Sequence, residues 1–243
     1  MSLRSTFATG KPIRGGVPIC FPWFGPNAQN TELPAHGFAR LQTWSLRDAE
    51  DLPDGRTRVR LALDSTPQTE ALWPHKFSLV YTVTVGQQLT MELAVTNTDR
   101  APIVVEEALH TYLDVGDVRA VRIAGLSWTP FVDKVDGGAQ KSQVAAIEFT
   151  GETDRVFLGT TSTVEVEDRS TARRILVAKA GSQNTVVWNP WITKAARMPD
   201  FGDDEWPGMV CVESANVGDA RITLAPGTSH TISQTLSVEL LPR

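Results

Sequence analysis

Phe77-Ser78-Leu79-Val80-Tyr81-Thr82-Val83-Thr84-Val85-Gly86-Gln87-Gln88-Leu89-Thr90-Met91-Glu92-Leu93-Ala94-Val95-Thr96 is the stretch that decides the fold class. After its glycine turn, Leu89, Met91, Leu93 and Val95 alternate with Thr90, Glu92, Ala94 and Thr96. A period of two gives a half-buried strand one apolar face. Phe77 to Val85 is rich in β-branched and aromatic residues, and Gly86-Gln87-Gln88 joins the two runs as a hairpin. A strand over 58–63 follows the turn signal Pro53-Asp54-Gly55. Further strands are predicted over 102–115, 119–126, 155–159, 163–167, 173–179, 185–188, 209–213, 220–224 and 230–240. Helical periodicity is almost absent, with one short turn predicted at 68–73 and another at 193–198. Many short strands with Gly/Pro/Asn/Asp punctuation, and no repeat or linker, predict one all-β domain over 1–243, a sandwich or barrel.

A chain of 243 residues buries roughly 70–75% of its unfolded surface and needs no metal or disulfide to stand. Its net charge of −5 argues against nucleic acid as a partner, because phosphate-backbone binding needs a broad basic surface. An anionic ligand has to be gripped by a few local Arg or Lys residues. Cys20 and Cys211 lie in apolar stretches and read as reduced, buried thiols. The start of the chain has no signal-like apolar core, no run approaches a membrane span, and no Asn-x-Ser/Thr site occurs. A soluble cytoplasmic protein with no membrane partner is the expectation.

Two stretches concentrate polar groups in a stiff frame: residues 12–26, Pro-Ile-Arg-Gly-Gly-Val-Pro-Ile-Cys-Phe-Pro-Trp-Phe-Gly-Pro, and His36-Gly37-Phe38-Ala39-Arg40. Gly and Pro at this density fix an irregular backbone. Arg14, His36 and Arg40 then suit a small anionic ligand, although a well-packed surface loop accounts for the same residues. His110 shares an extended-strand face with Ala108 and Tyr112. On that segment alone the better reading is a satisfied histidine inside a sheet. His36, His75, His110 and His230 lack zinc-motif spacing, so no metal is expected. Glu213 shares a face with Met209 and Cys211. Such a carboxylate is costly unless paired, raised in pKa or functional, and a strand-end glutamate turned to solvent is an equal alternative. Asp154 and Arg155 read as an ordinary turn aspartate and a surface arginine. Trp188 and Trp191, around Asn189-Pro190, either stack on a sugar ring or plug the end of a sandwich. Lys194 and Arg197 follow them.

Taken in order, IRGGVPICFPWFGP, LPAHGFAR, LWPHKFSLVYTV, ALHTYLDV, GETDRVF, VVWNPW and MVCVESANV resemble the glucose-6-phosphate 1-epimerase (hexose-6-phosphate mutarotase) branch of the aldose 1-epimerase superfamily. The resemblance spans residues 11–226. It implies a galactose-mutarotase-like β-supersandwich with sugar bound in a cleft on one sheet. It also implies His110 and Glu213 as the catalytic pair, Asp154 and His36 at the sugar, and Arg14 and Arg40 on the 6-phosphate. Opening a hemiacetal needs a base at O1 and an acid at the ring oxygen, and reclosure reverses both transfers. Glu213 as base and protonated His110 as acid supply them, with no cofactor and no metal. Members of the branch usually carry some tens of residues ahead of the Arg-Gly-Gly segment, so the usual N-terminal strands are expected to be missing. That leaves a sheet edge open, and a monomer or weak dimer is expected. Two alternatives accompany this reading: a free-aldose mutarotase, and a non-catalytic carbohydrate-binding or sugar-sensing module on the same fold.

Overall fold

A computed structural model describes residues 1–241. The hairpin forms as its alternation requires. Phe77–Val85 pairs antiparallel with Leu89–Asn97, Val85 stands opposite Leu89, and the Gly86 N–H donates to the Gln88 carbonyl at 3.0 Å. Leu79, Met91, Leu93 and Val95 are buried, while Thr90, Glu92, Ala94 and Thr96 are half-buried. This hairpin lies within a nine-stranded antiparallel sheet that runs, in spatial order, Ile147–Glu148, Val121–Ala124, Val164–Asp168, Arg173–Ala180, Ser229–Leu240, Leu89–Asn97, Phe77–Val85, Thr57–Asp64 and Ser45–Asp51. An eight-stranded sheet faces it, ordered Ile19–Cys20, Glu107–Leu109, Met209–Asn216, Asn184–Asn189, Thr153–Phe157, Pro130–Asp133 and Ala139–Ser142, with Tyr112–Asp114 also paired to Met209–Asn216.

The core lies between the sheets. Phe131, Phe157, Val187 and Val212 of one meet Val164, Val166, Ile175 and Val177 of the other. At the far end Ile19 and Leu109 meet Leu79, Leu93 and Ile232. Each such side chain contributes roughly 1.5–3 kcal/mol on burial, so alternating apolar residues on both sheets drive the sandwich. Among the described residues no helix is long and apolar enough to cross a membrane, and Cys20 and Cys211 are buried free thiols.

The single strand predicted over 102–115 is three strands. Ile103–Val105 leaves to pair with Ile222–Leu224 in a separate two-stranded sheet. Glu107–Leu109 and Tyr112–Asp114 both pair with Met209–Asn216, interrupted at His110-Thr111. Two edge strands, Ser45–Asp51 and Ala139–Ser142, carry no apolar alternation because almost all their side chains face solvent. The first is instead laced to Thr57–Asp64 by Arg60–Asp48 and Arg58–Glu50 ion pairs, charges that also discourage edge-to-edge pairing. The two short helices are Pro67–Leu72, closed by a Thr66/Thr69 capping box, and Trp191–Ala195, which begins two residues before the predicted turn.

A buried carboxylate ties the two sheets together. Glu107, fully buried, accepts from Asn216 Nδ2 at 3.0 Å and pairs with His230 Nδ1 at 2.8 Å. The hydrogen bond to Glu107 raises His230 above its ordinary 6.5, against the opposing effect of burial. A raised folded-state value binds a proton that the unfolded chain releases sooner. The stabilisation is therefore full below about pH 6 and is lost as pH rises through the folded value. Thermal unfolding of wild type and His230→Gln should show a wild-type advantage of a few degrees at about pH 5.5 that shrinks by about pH 8.5. An advantage independent of pH would contradict the ion pair.

Candidate active site

Register assembles the site on the face of the eight-stranded sheet that points away from the core. In Met209–Asn216, Val212 turns into the core and Glu213 turns out. Val186 stands opposite Glu213 and Val156 opposite Val186, while Trp188 faces Cys211 and Asp154 faces Trp188. Ser214 pairs with Leu109 and Cys211 with Tyr112, so the same register carries His110 opposite Glu213. Paired residues share a sheet face. Side chains more than a hundred residues apart in sequence thus become neighbours.

The cleft over this face encloses about 330 Å³ and is lined by Arg14, His36, Arg40, His110, Asp154 and Glu213 together with Lys134, Trp188 and Lys194. All six residues picked out from the sequence therefore meet in one place. His110 Nε2 lies 3.4 Å from Glu213 Oε1, and both side chains are buried. The His110 ring stacks on Tyr112 at 5.0 Å and meets Trp188 edge-on at 5.9 Å. His110 Nδ1 and Glu213 Oε2 are buried without a hydrogen-bond partner among the described residues.

Burial, reinforced by Arg40 and Arg14, lowers His110 to about 3. Burial and the nearby Asp154 carboxylate push Glu213 well above the usual carboxylate range, although Lys134 and Arg40 oppose that rise. Both shifts disfavour the charged form, the imidazolium and the carboxylate alike. The physical reason is the dry floor of the cleft, which penalises charge on either partner.

Two guanidinium groups close one side of the cleft. Arg14 Nε donates to Asp200 Oδ2 at 2.9 Å. Burial opposes the Arg14 charge, but the facing Tyr112 and Asp200 more than offset it, and its pKa is raised. Arg40 Nη2 donates to the Ala35 carbonyl at 2.8 Å, while its Nε is buried with no partner among the described residues. Burial and the neighbouring Arg14 charge lower Arg40. Two cations held together in a partly dry cleft favour an anion between them.

His36 is held by its loop. Its backbone sits in the left-handed region at φ 64, and its Nδ1 accepts the Gly25 N–H at 3.3 Å, which leaves the ring proton on Nε2. Burial and the proximity of His110 and Arg40 lower it to about 2, so it is a neutral donor. Gly37 follows because a Cβ there would stand 1.9 Å from the Phe21 carbonyl oxygen at φ 71; only glycine allows the approach. Asp154 lies 3.6 Å from Lys194 Nζ, which also pairs with Glu152 at 2.8 Å. Burial raises Asp154 against the pull of Lys134 and Lys194.

The two tryptophans have separate fates. Trp188 lines the cleft, whereas Trp191 packs on Trp206 at 4.3 Å beside the core. Lys194 lines the cleft and Arg197 does not. Lys134, its Nζ 4.7 Å above the Phe24 ring, is a cleft cation that sequence reading missed, because no motif surrounds it.

The family model described as Aldose 1-epimerase matches residues 5–237. A protein of Cenchrus ciliaris, described as "Putative glucose-6-phosphate 1-epimerase", is 38% identical over 236 residues, covering 93% of this chain and 70% of that protein. One of Escherichia coli (strain K12), with the same description, is 34% identical over 239 residues, covering 98% of this chain and 79% of that one. The crystal structure of a "putative mutarotase" from Salmonella typhimurium superposes with a TM-score of 0.91 at 33% identity, covering 99% of this chain and 79% of that one. The two facing sheets are thus the galactose-mutarotase-like β-supersandwich. With a match across almost its whole length and relatives above 30% identity, this chain belongs to the aldose 1-epimerase family.

Proposed function

We propose that this protein interconverts the α and β anomers of glucose 6-phosphate, with Glu213 and His110 moving the protons and Arg14 and Arg40 holding the phosphate. The observation that carries this reading is a single cleft in which a buried imidazole–carboxyl pair 3.4 Å apart lies beside two guanidinium groups. The descriptions of the relatives from Cenchrus ciliaris and Escherichia coli agree with it.

The phosphate dianion offsets Arg14 and Arg40, whose charges add to burial in lowering His110. In the reactive form Glu213 is the carboxylate and His110 the imidazolium. Glu213 takes the O1 proton, His110 protonates the ring oxygen, and the C1–O5 bond breaks to leave the open-chain aldehyde. Rotation about C1–C2 presents the other carbonyl face, and reclosure reverses both transfers. Ring opening converts a carboxylate and an imidazolium into two neutral groups. Burial penalises the charged pair before transfer, and that penalty is relieved as the protons move. In this reading the Nε2–H of His36 and the Asp154 carboxylate hydrogen-bond sugar hydroxyls.

Two-dimensional exchange NMR on glucose 6-phosphate, unphosphorylated glucose, and galactose and mannose 6-phosphates tests the assignment. Exchange between glucose 6-phosphate anomers should rise in proportion to enzyme concentration, well above the uncatalysed rate, with glucose much less affected. A ligand that binds while exchange stays at the uncatalysed rate would instead mark a sugar-binding module.

A further inference from the structure

Behind the His110–Glu213 pair the sheet carries a defect. Thr111 lies between the two interrupted strands, opposite Val212 in the register that pairs Leu109 with Ser214 and Tyr112 with Cys211. The Val212 N–H donates to the Thr111 carbonyl at 3.1 Å, half of the expected exchange. In an unbroken antiparallel ladder the Thr111 N–H would return the bond to the Val212 carbonyl. It donates instead to the Leu109 carbonyl at 2.9 Å, a tight turn centred on His110. The turn aims His110 into the cleft. It also strips the Val212 carbonyl, one residue from Glu213, of its strand donor in a buried interior.

The opposite sheet replaces that donor. Gln234, fully buried on Ser229–Leu240, reaches across the sandwich, and its Nε2 donates to the Val212 carbonyl at 3.1 Å. The same nitrogen lies 3.1 Å from Ser214 Oγ, and Gln234 Oε1 accepts the Thr111 hydroxyl. A carbonyl acceptor requires nitrogen at that position, which settles the orientation of the amide. One buried side chain thus grips the residues on both sides of Glu213 and the residue after His110. An amide buried between the sheets is costly unless its contacts are made.

We propose that Gln234 is a positioning residue for anomerisation: it supplies the ladder hydrogen bond that the turn at His110 removes, and so sets the separation and aim of His110 and Glu213. The proposal rests on the reading of those two residues as the proton-transfer pair. Gln234 itself touches no substrate.

Gln234→Leu tests it, with Ile232→Val, in the same strand and facing the same core, as the packing control. Each is assayed by anomer exchange on glucose 6-phosphate, by thermal unfolding, and by the imidazole 1H–15N resonances of His110. Gln234→Leu should lower kcat about 10- to 100-fold with KM within about threefold, because small misplacements of reacting groups cost this much. It should also move the His110 ring resonances. Ile232→Val should lower the unfolding temperature and leave kcat and those resonances in place. A folded Gln234→Leu protein with wild-type kcat and unmoved His110 signals overturns the proposal. If Gln234→Leu does not fold, Gln234→Met, similar in length and without a donor, carries the same test. If the wild type fails to accelerate exchange, the proposed function falls, while the His110 resonances still decide what Gln234 does.

Discussion

Glu213→Gln and His110→Asn are each expected to return glucose 6-phosphate anomer exchange almost to its uncatalysed rate, a loss of about 10²–10⁴-fold. Glutamine cannot take the O1 proton, and asparagine cannot deliver one to the ring oxygen. The two groups lie 3.4 Å apart and act in the same proton-transfer steps, so the double variant should be scarcely worse than either single one. Both variants should fold, because each replaces an ionisable group whose charge burial already opposes with a neutral amide of similar shape. Exchange spectroscopy on folded protein checks this. Rates within about twofold of wild type in either variant would falsify the assigned mechanism.

The second large effect concerns the phosphate. Arg14→Ala and Arg40→Ala should each lower kcat/KM for glucose 6-phosphate by about 10- to 100-fold, the loss of a charge-assisted hydrogen bond worth roughly 1.5–3 kcal/mol. Unphosphorylated glucose separates binding from chemistry. Arg40 and Arg14 both hold His110 low, and no phosphate is present to neutralise them, so removing either should leave glucose exchange unchanged or faster. Opposite responses of the two substrates are hard to obtain from a general loss of structure. Equal losses on both would point to a structural role for the arginines and a different anion site. Arg40→Ala is the cleaner variant, since Arg14→Ala also deprives Asp200 of its partner at 2.9 Å.

The legibility of this chain varied with burial. The strands of the Phe77–Asn97 hairpin were readable because one face is packed and the other is not, which is what alternation records. Ser45–Asp51 and Ala139–Ser142 were not readable, because edge strands without a covered face leave no periodic trace. The interruption at His110-Thr111 was also hidden. Residues 107–114 pattern like one extended strand, and the diversion of the Thr111 N–H to Leu109 depends on Gly16 and Pro18, whose carbonyls take the N–H groups of Tyr112 and His110.

The sequence by itself determined the all-β class through alternation. By the ordered resemblance from IRGGVPICFPWFGP to MVCVESANV, it also pointed to the residues that line the cleft. Local residue types left His110 as a satisfied core histidine or an acid, and Glu213 as a strand-end or a catalytic carboxylate. Only tertiary structure decided how these groups stand to one another. Sheet register set His110 opposite Glu213, burial lowered His110 and raised Glu213, and Lys134 joined the cleft unannounced by any motif. Periodicity is a property of consecutive residues, and so it survives in a one-dimensional record. Distance and desolvation arise between strands remote in sequence and exist only once the two sheets have closed on their core.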